Sequence, residues 1–400
     1  MTTLTAEDIT APVAGYAQRL HATAGERHHV ASPLGAWLLL ALCATASEGQ
    51  RREILNTTLG CDCADAADLA LALLASPNPV VPAAAAAWLS GGRPASVAQR
   101  WYDGLPPALQ SGPVPGQAEA DDWARRHTYG LIESMPVRLD TSVWLLVASV
   151  LATRVSWAKP FDLAPATALG PLSPWASGLS QVLRTPDGET HSGYVAATAA
   201  AGDVAVHTAW ASDSSLTVTS VAAAPGVPPG QVLAAAYELA PAGVLQRPVP
   251  RRSLFDLPLG DGPLWSITER RATVKSGSGR EEHVTAVLPA WSARSDHNLA
   301  EPGLGFDAAM ATLAPGDPWG AKQAAMAKYT RVGFEAAAVS AAFAALSMRV
   351  PRDGVVRTAE LRFGHPYAVV AVATDWSGHG PWHGLPVFSA WVAQPQNAEP

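Results

Sequence analysis

Apolar residues recur at helical spacing through the first third of the chain and at alternating spacing through much of the rest. Residues 11–22 read as a first helix. A second runs from Ser32-Pro33 through Thr45, with Ser32 placed to cap and Pro33 suited to a first turn, and Gly49 is expected to end it. Residues 51–59 form a third helix closed by Gly60, and 65–74 a fourth, with Asp65 and Asp68 in its first turn where the helix dipole favours carboxylates. Residues 80–89 fit either a buried strand or a helix. A helix over 95–109, interrupted at Pro106, precedes an amphipathic helix over 118–135 that carries Trp123, His127, Leu131 and Met135 along one side. The run 143–152 is apolar on both faces, the pattern of a central strand in a covered sheet.

From 170 to 300 strands and turns dominate. Pro186-Asp187-Gly188 signals a turn, 216–221 alternates, and a polar loop over 275–282 leads into a strand over 283–288. Asp296 is expected to cap a short helix. The tail, 361–395, alternates Val, Ala and Phe with Gly-rich turns, and Pro351-Arg352-Asp353-Gly354 reads as a turn. No repeat or long linker divides the chain, so helices followed mostly by strands point to one large α+β domain over 1–400.

One stretch fits no single state. Written by period two, residues 334–346 put Phe334, Ala336, Ala338, Ser340, Ala342, Ala344 and Leu346 on one face without a charge to desolvate. Glu335, Ala337, Val339, Ala341, Phe343 and Ala345 take the other face. Alanine is also the strongest intrinsic helix former, so a helix of about four turns competes with the strand. A segment with more than one accessible conformation is a candidate switch.

Composition narrows the function classes. Hydrophobic residues make up 48% of the 400, ample for a large core, and the net charge of −7 offers no footprint for nucleic acid or an acidic membrane. Cys43, Cys61 and Cys63 suggest neither a disulfide framework nor a zinc site, and free thiols suit a reducing compartment. The first thirty residues carry charges and lack the apolar core of a secretion signal, and the apolar runs 36–44 and 143–151 are too short to span a bilayer. The expectation is a soluble monomer in the cytoplasm, with secretion left open and no cofactor, nucleic-acid or membrane partner.

Two patterns bear on catalysis and metals. Ser156 with Lys159, Ser212-Asp213-Ser214 and Lys275-Ser276-Gly277 follow the order used by penicillin-recognising serine enzymes. That chemistry needs the serine to open a long buried helix, whereas Pro160 and Phe161 follow the lysine directly. His379 and His383, with His365 upstream, have helical metal spacing, but Gly378, Gly380, Pro381 and Gly384 argue against a helix there, so no metal is expected. His28-His29 forms no further pattern.

The chain resembles the serpins, the serine-protease inhibitor family, over most of its length. Ser32-Pro33 with the apolar run 38–44 and Glu48-Gly49-Gln50-Arg51-Arg52-Glu53-Ile54-Leu55 is similar to the family's second and third helices. Trp123, Thr128, Gly130, Ile132, Pro136 and Thr141 match a spaced pattern at its sixth helix and the next strand, and Trp157 with Pro160-Phe161 matches its Trp-x-x-Pro-Phe. Leu288-Pro289, Trp291, Leu299, Leu304-Gly305-Phe306 and Ala308 resemble a later segment. Phe363, His365-Pro366-Tyr367, Val387-Phe388 and Val392 resemble the C-terminal strands.

The resemblance implies helices packed on a central, mostly antiparallel sheet, further sheets, and an exposed reactive-centre loop over about 333–358. It makes Gly333, Phe334, Glu335, Ala336, Ala337 and Ala338 the loop hinge. A serine protease would cleave the loop, and the segment after the hinge would enter the central sheet as a new strand. Counting from Gly333 puts the bond at Ser347-Met348, and counting back from Pro366 puts it nearer Val355. Arg349 and Arg352 suit a trypsin-like enzyme, and Leu346 or Met348 a chymotrypsin-like one. Ser32, Ser149, Gln323 and Trp157 are implied to lie where the sheet opens.

Some positions depart from the family pattern. Phe334 replaces a small hydroxyl residue, Arg331 a glutamate, and Gly35, Ser149 and Gln323 stand where serine, asparagine and histidine are common. The implied function is suicide-substrate inhibition of a serine protease. The alternatives are a non-inhibitory serpin-like binding protein and, remotely, a serine-acylating enzyme.

Overall fold

The computed structural model describes residues 6–399, apart from 77, 79–82, 92–95, 108, 129, 131, 136–142, 152–154, 189, 275, 335–351, 376, 377 and 379. The chain begins with α1 (Ala6–Ala24) and β1 (His29–Ala31) and continues through α2 (Pro33–Ala44), α3 (Gly49–Leu59) and α4 (Cys63–Ala75). Then come β2 (Ala83–Leu89), α5 (Val97–Asp103), β3 (Gln110–Gly112), α6 (Gln117–His127), β4 (Leu145–Leu151), β5 (Val155–Ser156), β6 (Asp162–Pro165) and β7 (Gln181–Arg184). The antiparallel run β8 (His191–Thr198), β9 (Gly202–Trp210) and β10 (Leu216–Ala222) leads into α7 (Pro229–Val244). Thereafter strands β11 (Arg251–Arg252), β12 (Gly260–Asp261), β13 (Trp265–Val274), β14 (Arg280–Leu288) and β15 (Trp291–Asn298) precede α8 (Phe306–Leu313). The chain closes with β16 (Trp319–Tyr329), β17 (Gly333–Phe334), β18 (Arg352–Arg362), β19 (Tyr367–Ala373) and β20 (Pro386–Val392).

These strands form a seven-stranded sheet β1-β20-β19-β10-β9-β8-β11, a six-stranded sheet β12-β13-β18-β14-β7-β6 and a five-stranded sheet β15-β16-β4-β2-β3, with a separate β17-β5 pair. Most pairings are antiparallel. In the five-stranded sheet, however, β16 runs parallel to β4, and β2 parallel to β3. Helix α2 is buried along its whole length, so it serves as an internal pillar, and it touches both β4 and β20. Its start follows the expected chemistry, since Ser32 Oγ accepts from Gly35 N at 3.1 Å and Pro33 occupies the first turn.

Several expected elements change. Gly49 does not end α2; with φ +57 it opens α3. The helix expected over 118–135 stops at His127, because Thr128 Oγ1 donates to Ala124 O and Gly130, at φ +80, turns the chain back with a bond to Arg125 O. The helix over 95–109 shortens to α5, closed by Gly104. The described part of 80–89 is strand β2, and α7 lies inside the region read as strands and turns. Asp296 caps no helix: Asp296-His297-Asn298 end β15, opposite Ala324, Gln323 and Lys322 of β16.

Pro351-Arg352-Asp353-Gly354 is not a turn over its described part either. Arg352, Asp353 and Gly354 open β18 opposite Val274, Thr273 and Ala272. The glycine serves close packing, since a Cβ there would lie 2.4 Å from Val274 Cγ2 and 2.5 Å from Gly279 O. The span 352–358 of the expected loop is therefore sheet.

Candidate functional site

The junction between β16 and β4 places most of the implied site residues. Over seven residues the two strands pair in parallel, from Trp319 opposite Leu145 to Ala325 opposite Leu151, with Gln323 opposite Ser149. Beneath that pair the N-terminus of α2 supplies Ser32. The Gln323 amide bonds Ser32 at both ends: its Oε1 accepts from Ser32 N at 3.0 Å and its Nε2 donates to Ser32 O at 2.7 Å. The same Nε2 reaches Ser149 Oγ at 3.4 Å, and Ser32 Oγ donates to Val387 O of β20 at 2.9 Å. Ser32, Ser149 and Gln323 are 0%, 3% and 1% exposed, so these bonds replace water that cannot enter. Gly35 makes room for them, because a Cβ there would stand 3.1 Å from Ser32 Oγ. Three of the four residues implied to lie where the sheet opens thus form one polar clasp holding β16, β4 and α2 together.

Trp157, the fourth, belongs to a different group. After Tyr329 the chain turns through Thr330–Gly333, where Thr330 N and Oγ1 both donate to Gly333 O. It then runs as β17 against β5, Gly333 opposite Ser156 and Phe334 opposite Val155. Neighbouring residues add to this seam: Trp157 N donates to Val332 O at 3.1 Å, Phe161 N to Arg331 O at 2.9 Å, Trp157 Nε1 to Thr330 O at 2.9 Å and Arg331 Nε to Phe161 O at 3.1 Å. Arg331, noted as a departure, therefore acts as a local strap.

Phe334, expected as part of an exposed loop, is buried, 2% exposed. Its ring meets Trp157, Trp291 and Tyr329 edge-to-face, with centroids 6.4, 6.1 and 6.3 Å away. Trp291 stacks on Tyr329 at 15°. Gly333 has a steric reason to be glycine: a Cβ would come within 2.3 Å of Val155 O and 2.9 Å of Ser156 Cα. β17 ends at Phe334 and β18 opens at Arg352. Glu335, Ala336, Ala337, Ala338, Ser347, Met348 and Arg349 lie outside the described residues.

The serine-acylating arrangement is not formed. Ser156 sits in β5, paired with Gly333, rather than at a helix start, and Lys159 Nζ donates to Asp187 O. Among the described residues no group of three or more His, Cys, Asp and Glu side chains gathers as a metal site. His365 Nε2 donates to Ala223 O and His383 Nδ1 accepts from Asp375 N; His379 lies outside the described residues. No helix among the described residues is long and apolar enough to cross a membrane. The three cysteines are free, and burial pushes the Cys61 thiol up to about 11.

No protein-family model matches the sequence, and no curated protein matches it. Solved structures do. A serpin from the trematode Schistosoma haematobium, 13% identical, superposes with a TM-score of 0.59 over 98% of this chain and 100% of its own. Tengpin, a thermophilic serpin in its native state, is 10% identical with a TM-score of 0.62 over 97% of this chain and 94% of its own. Human thyroxine-binding globulin complexed with thyroxine is 12% identical with a TM-score of 0.63 over 99% and 100%. Together with the three sheets, these full-length matches establish that this chain has the serpin fold.

Proposed function

We propose that the protein is a serpin-like suicide-substrate inhibitor of serine proteases, and that residues 335–351 carry its reactive-centre loop. The observation that carries this reading is the strand geometry at the hinge. β17 leaves β16 and runs antiparallel to β5, beside a sheet whose β16–β4 junction is parallel. A strand entering that junction antiparallel to both neighbours exchanges one parallel ladder for two antiparallel ones, with more backbone bonds and slightly better geometry. Phe334 faces the interior, so a strand that continued its period of two on entering the sheet would turn Ala336, Ala338 and Ser340 inward, where small uncharged side chains desolvate cheaply. At roughly 3.3 Å per residue, 335–347 reaches about 40 Å, longer than the paired part of β4 and β16.

In this reading the protease serine attacks the carbonyl carbon at the scissile bond, the C–N bond breaks, and the new amine terminus takes a proton and departs. An ester to the protease remains, and strand entry displaces the protease before water hydrolyses it. Counting from Gly333 favours the bond Ser347-Met348, and cleavage after Arg349 would instead suit a trypsin-like enzyme. Arg352 is set aside because it opens β18.

A second reading is a non-inhibitory binding protein. It draws on the seam between 330–334 and 155–161, which resists opening, and on the likeness in fold to a globulin whose structure holds thyroxine. Incubation with trypsin-, chymotrypsin- and subtilisin-like enzymes separates the two. An SDS-stable complex with one of them supports inhibition, and loop cleavage with full turnover and no complex overturns it.

A further inference from the structure

Between the end of β16 and the seven-stranded sheet, the core is built from touching rings. Phe161 meets His207 and Tyr329 with centroids 5.5 and 5.8 Å away. Phe363 meets His207 at 6.5 Å and Tyr367 at 5.2 Å, and Trp291 stacks on Tyr329 at 5.9 Å. Trp157 and Phe334 of the β17–β5 seam pack on the same Tyr329. Across the sheet, His207 stands directly opposite Ser220, and Ser220 opposite Val369, whose face of β19 also carries Tyr367.

Polar atoms collect in this shell. His207 Nδ1, Ser220 Oγ, Trp291 Nε1 and the hydroxyls of Tyr329 and Tyr367 are fully buried, and none has a hydrogen-bond partner in the protein. Native interiors pair such groups with protein or with ordered water, because leaving them unpaired is costly. Their chemistry is complementary. His191 Nε2 donates to Lys159 O at 2.8 Å, so His191 Nδ1 is an acceptor. It lies 3.3 Å from His207 Nε2, which therefore carries the hydrogen and leaves His207 Nδ1 an acceptor. The Trp291 indole only donates, and the three hydroxyls do both. Burial pushes the Tyr367 hydroxyl up and the Trp291 N–H pulls it back, so the two face each other without closing a direct bond.

We propose that this shell is an internal hydration site, in which ordered water links the Trp291 N–H and the Tyr329, Tyr367 and Ser220 hydroxyls to His207 Nδ1. A buried water makes about three hydrogen bonds, and these groups supply them. None of them is a carboxylate, a lysine or an arginine, so the shell offers balanced donors and acceptors to a neutral guest and nothing to an ion. Rings at contact distance leave room only for the smallest such guest. Through Tyr329, the water joins the aromatic group that holds β17 to the seven-stranded sheet.

The test applies magnetic relaxation dispersion of the water oxygen, which detects long-lived internal waters, to the full-length protein. The double variant Tyr329→Phe with Tyr367→Phe is expected to lose part of the dispersion amplitude. Each single variant is expected to lower the urea midpoint, because the water loses a partner. In a dry shell, removing an unpartnered hydroxyl leaves the midpoint unchanged or raises it. A hydroxyl bonded directly to protein instead lowers the midpoint and leaves the dispersion intact. Full dispersion amplitude in the double variant, or midpoints unchanged or raised in both single variants, overturns the proposal.

Discussion

Replacing Phe334 by alanine removes the side chain that anchors β17 in its aromatic group. A buried phenylalanine truncated to alanine typically costs about 3–5 kcal/mol, the sum of lost transfer energy and the cavity left behind. The surroundings place Phe334 within that range, since it is 2% exposed and has three edge-to-face aromatic neighbours. Spread over roughly 2.1 cal/mol/K of unfolding entropy per residue, that loss lowers the melting temperature of a 400-residue chain by about 4–6 °C. The assay pairs differential scanning calorimetry with the rate of limited proteolysis between Phe334 and Arg352, because a released hinge also exposes more chain to cleavage. Gly333→Ala reaches the same seam by another route: its Cβ cannot coexist with Val155 O at 2.3 Å, so β17 must leave β5 while the aromatic group keeps its members. Both variants are expected to nick faster than the parent. If Phe334→Ala melts within a degree of the parent and nicks at the same rate, Phe334 does not anchor the hinge.

Two further outcomes follow from buried polar groups. Gln323→Ala strands the N–H of Ser32, leaves its C=O with Ala36 N alone, and is expected to destabilise the protein by about 1–3 kcal/mol, read as a fall in the urea midpoint; an unchanged midpoint contradicts the polar clasp. The second concerns acid. Tyr237 OH donates to Ser389 Oγ, which meets His21 Nε2 at 2.6 Å; His21 Nδ1 meets His29 Nε2 at 2.6 Å, and His29 Nδ1 donates to Arg27 O, a chain complete only when both rings are neutral. Burial holds His29, and separately His191, down to about 4 from the usual 6.5. The unfolded chain therefore takes up protons that the folded one refuses, and stability present above pH 6.5 is lost as pH falls from 6.5 through about 4. At pH 5 each ring accounts for roughly 2 kcal/mol, so urea midpoints should fall steadily between pH 7 and 5, and a flat profile contradicts neutral burial.

Local chemistry made some elements legible and hid others. Ser32 and Pro33 announced α2, and Gly60 its neighbour's end, because caps act within one turn. The overextension of α6 came from reading apolar spacing past Thr128 and Gly130, whose stop depends on a bond back to Arg125 O. Alternation in Asp296-His297-Asn298 was masked by a cap-like aspartate, although His297 faces inward and its neighbours outward. In α7, alanine, proline and glycine obscured a helical stripe that becomes evident only against the sheet it covers.

The hinge shows the same limit at longer range. Phe334 read as a bulky intruder in a loop, because its aromatic partners Trp157 and Trp291 come from distant parts of the sequence. Trp157 and Phe161 were both visible as a spaced motif, but what they bind, the carbonyls of 330–332 and the Arg331 guanidinium, depends on the fold.

The most direct test of strand entry compares the melting temperature of the intact protein with that of protein nicked between Phe334 and Arg352. Entry of the released segment adds on the order of ten backbone hydrogen bonds, each worth about 1 kcal/mol, and should raise the melting temperature by roughly 10 °C or more. A nicked protein that melts at or below the temperature of the intact one contradicts insertion, and with it the inhibitory mechanism.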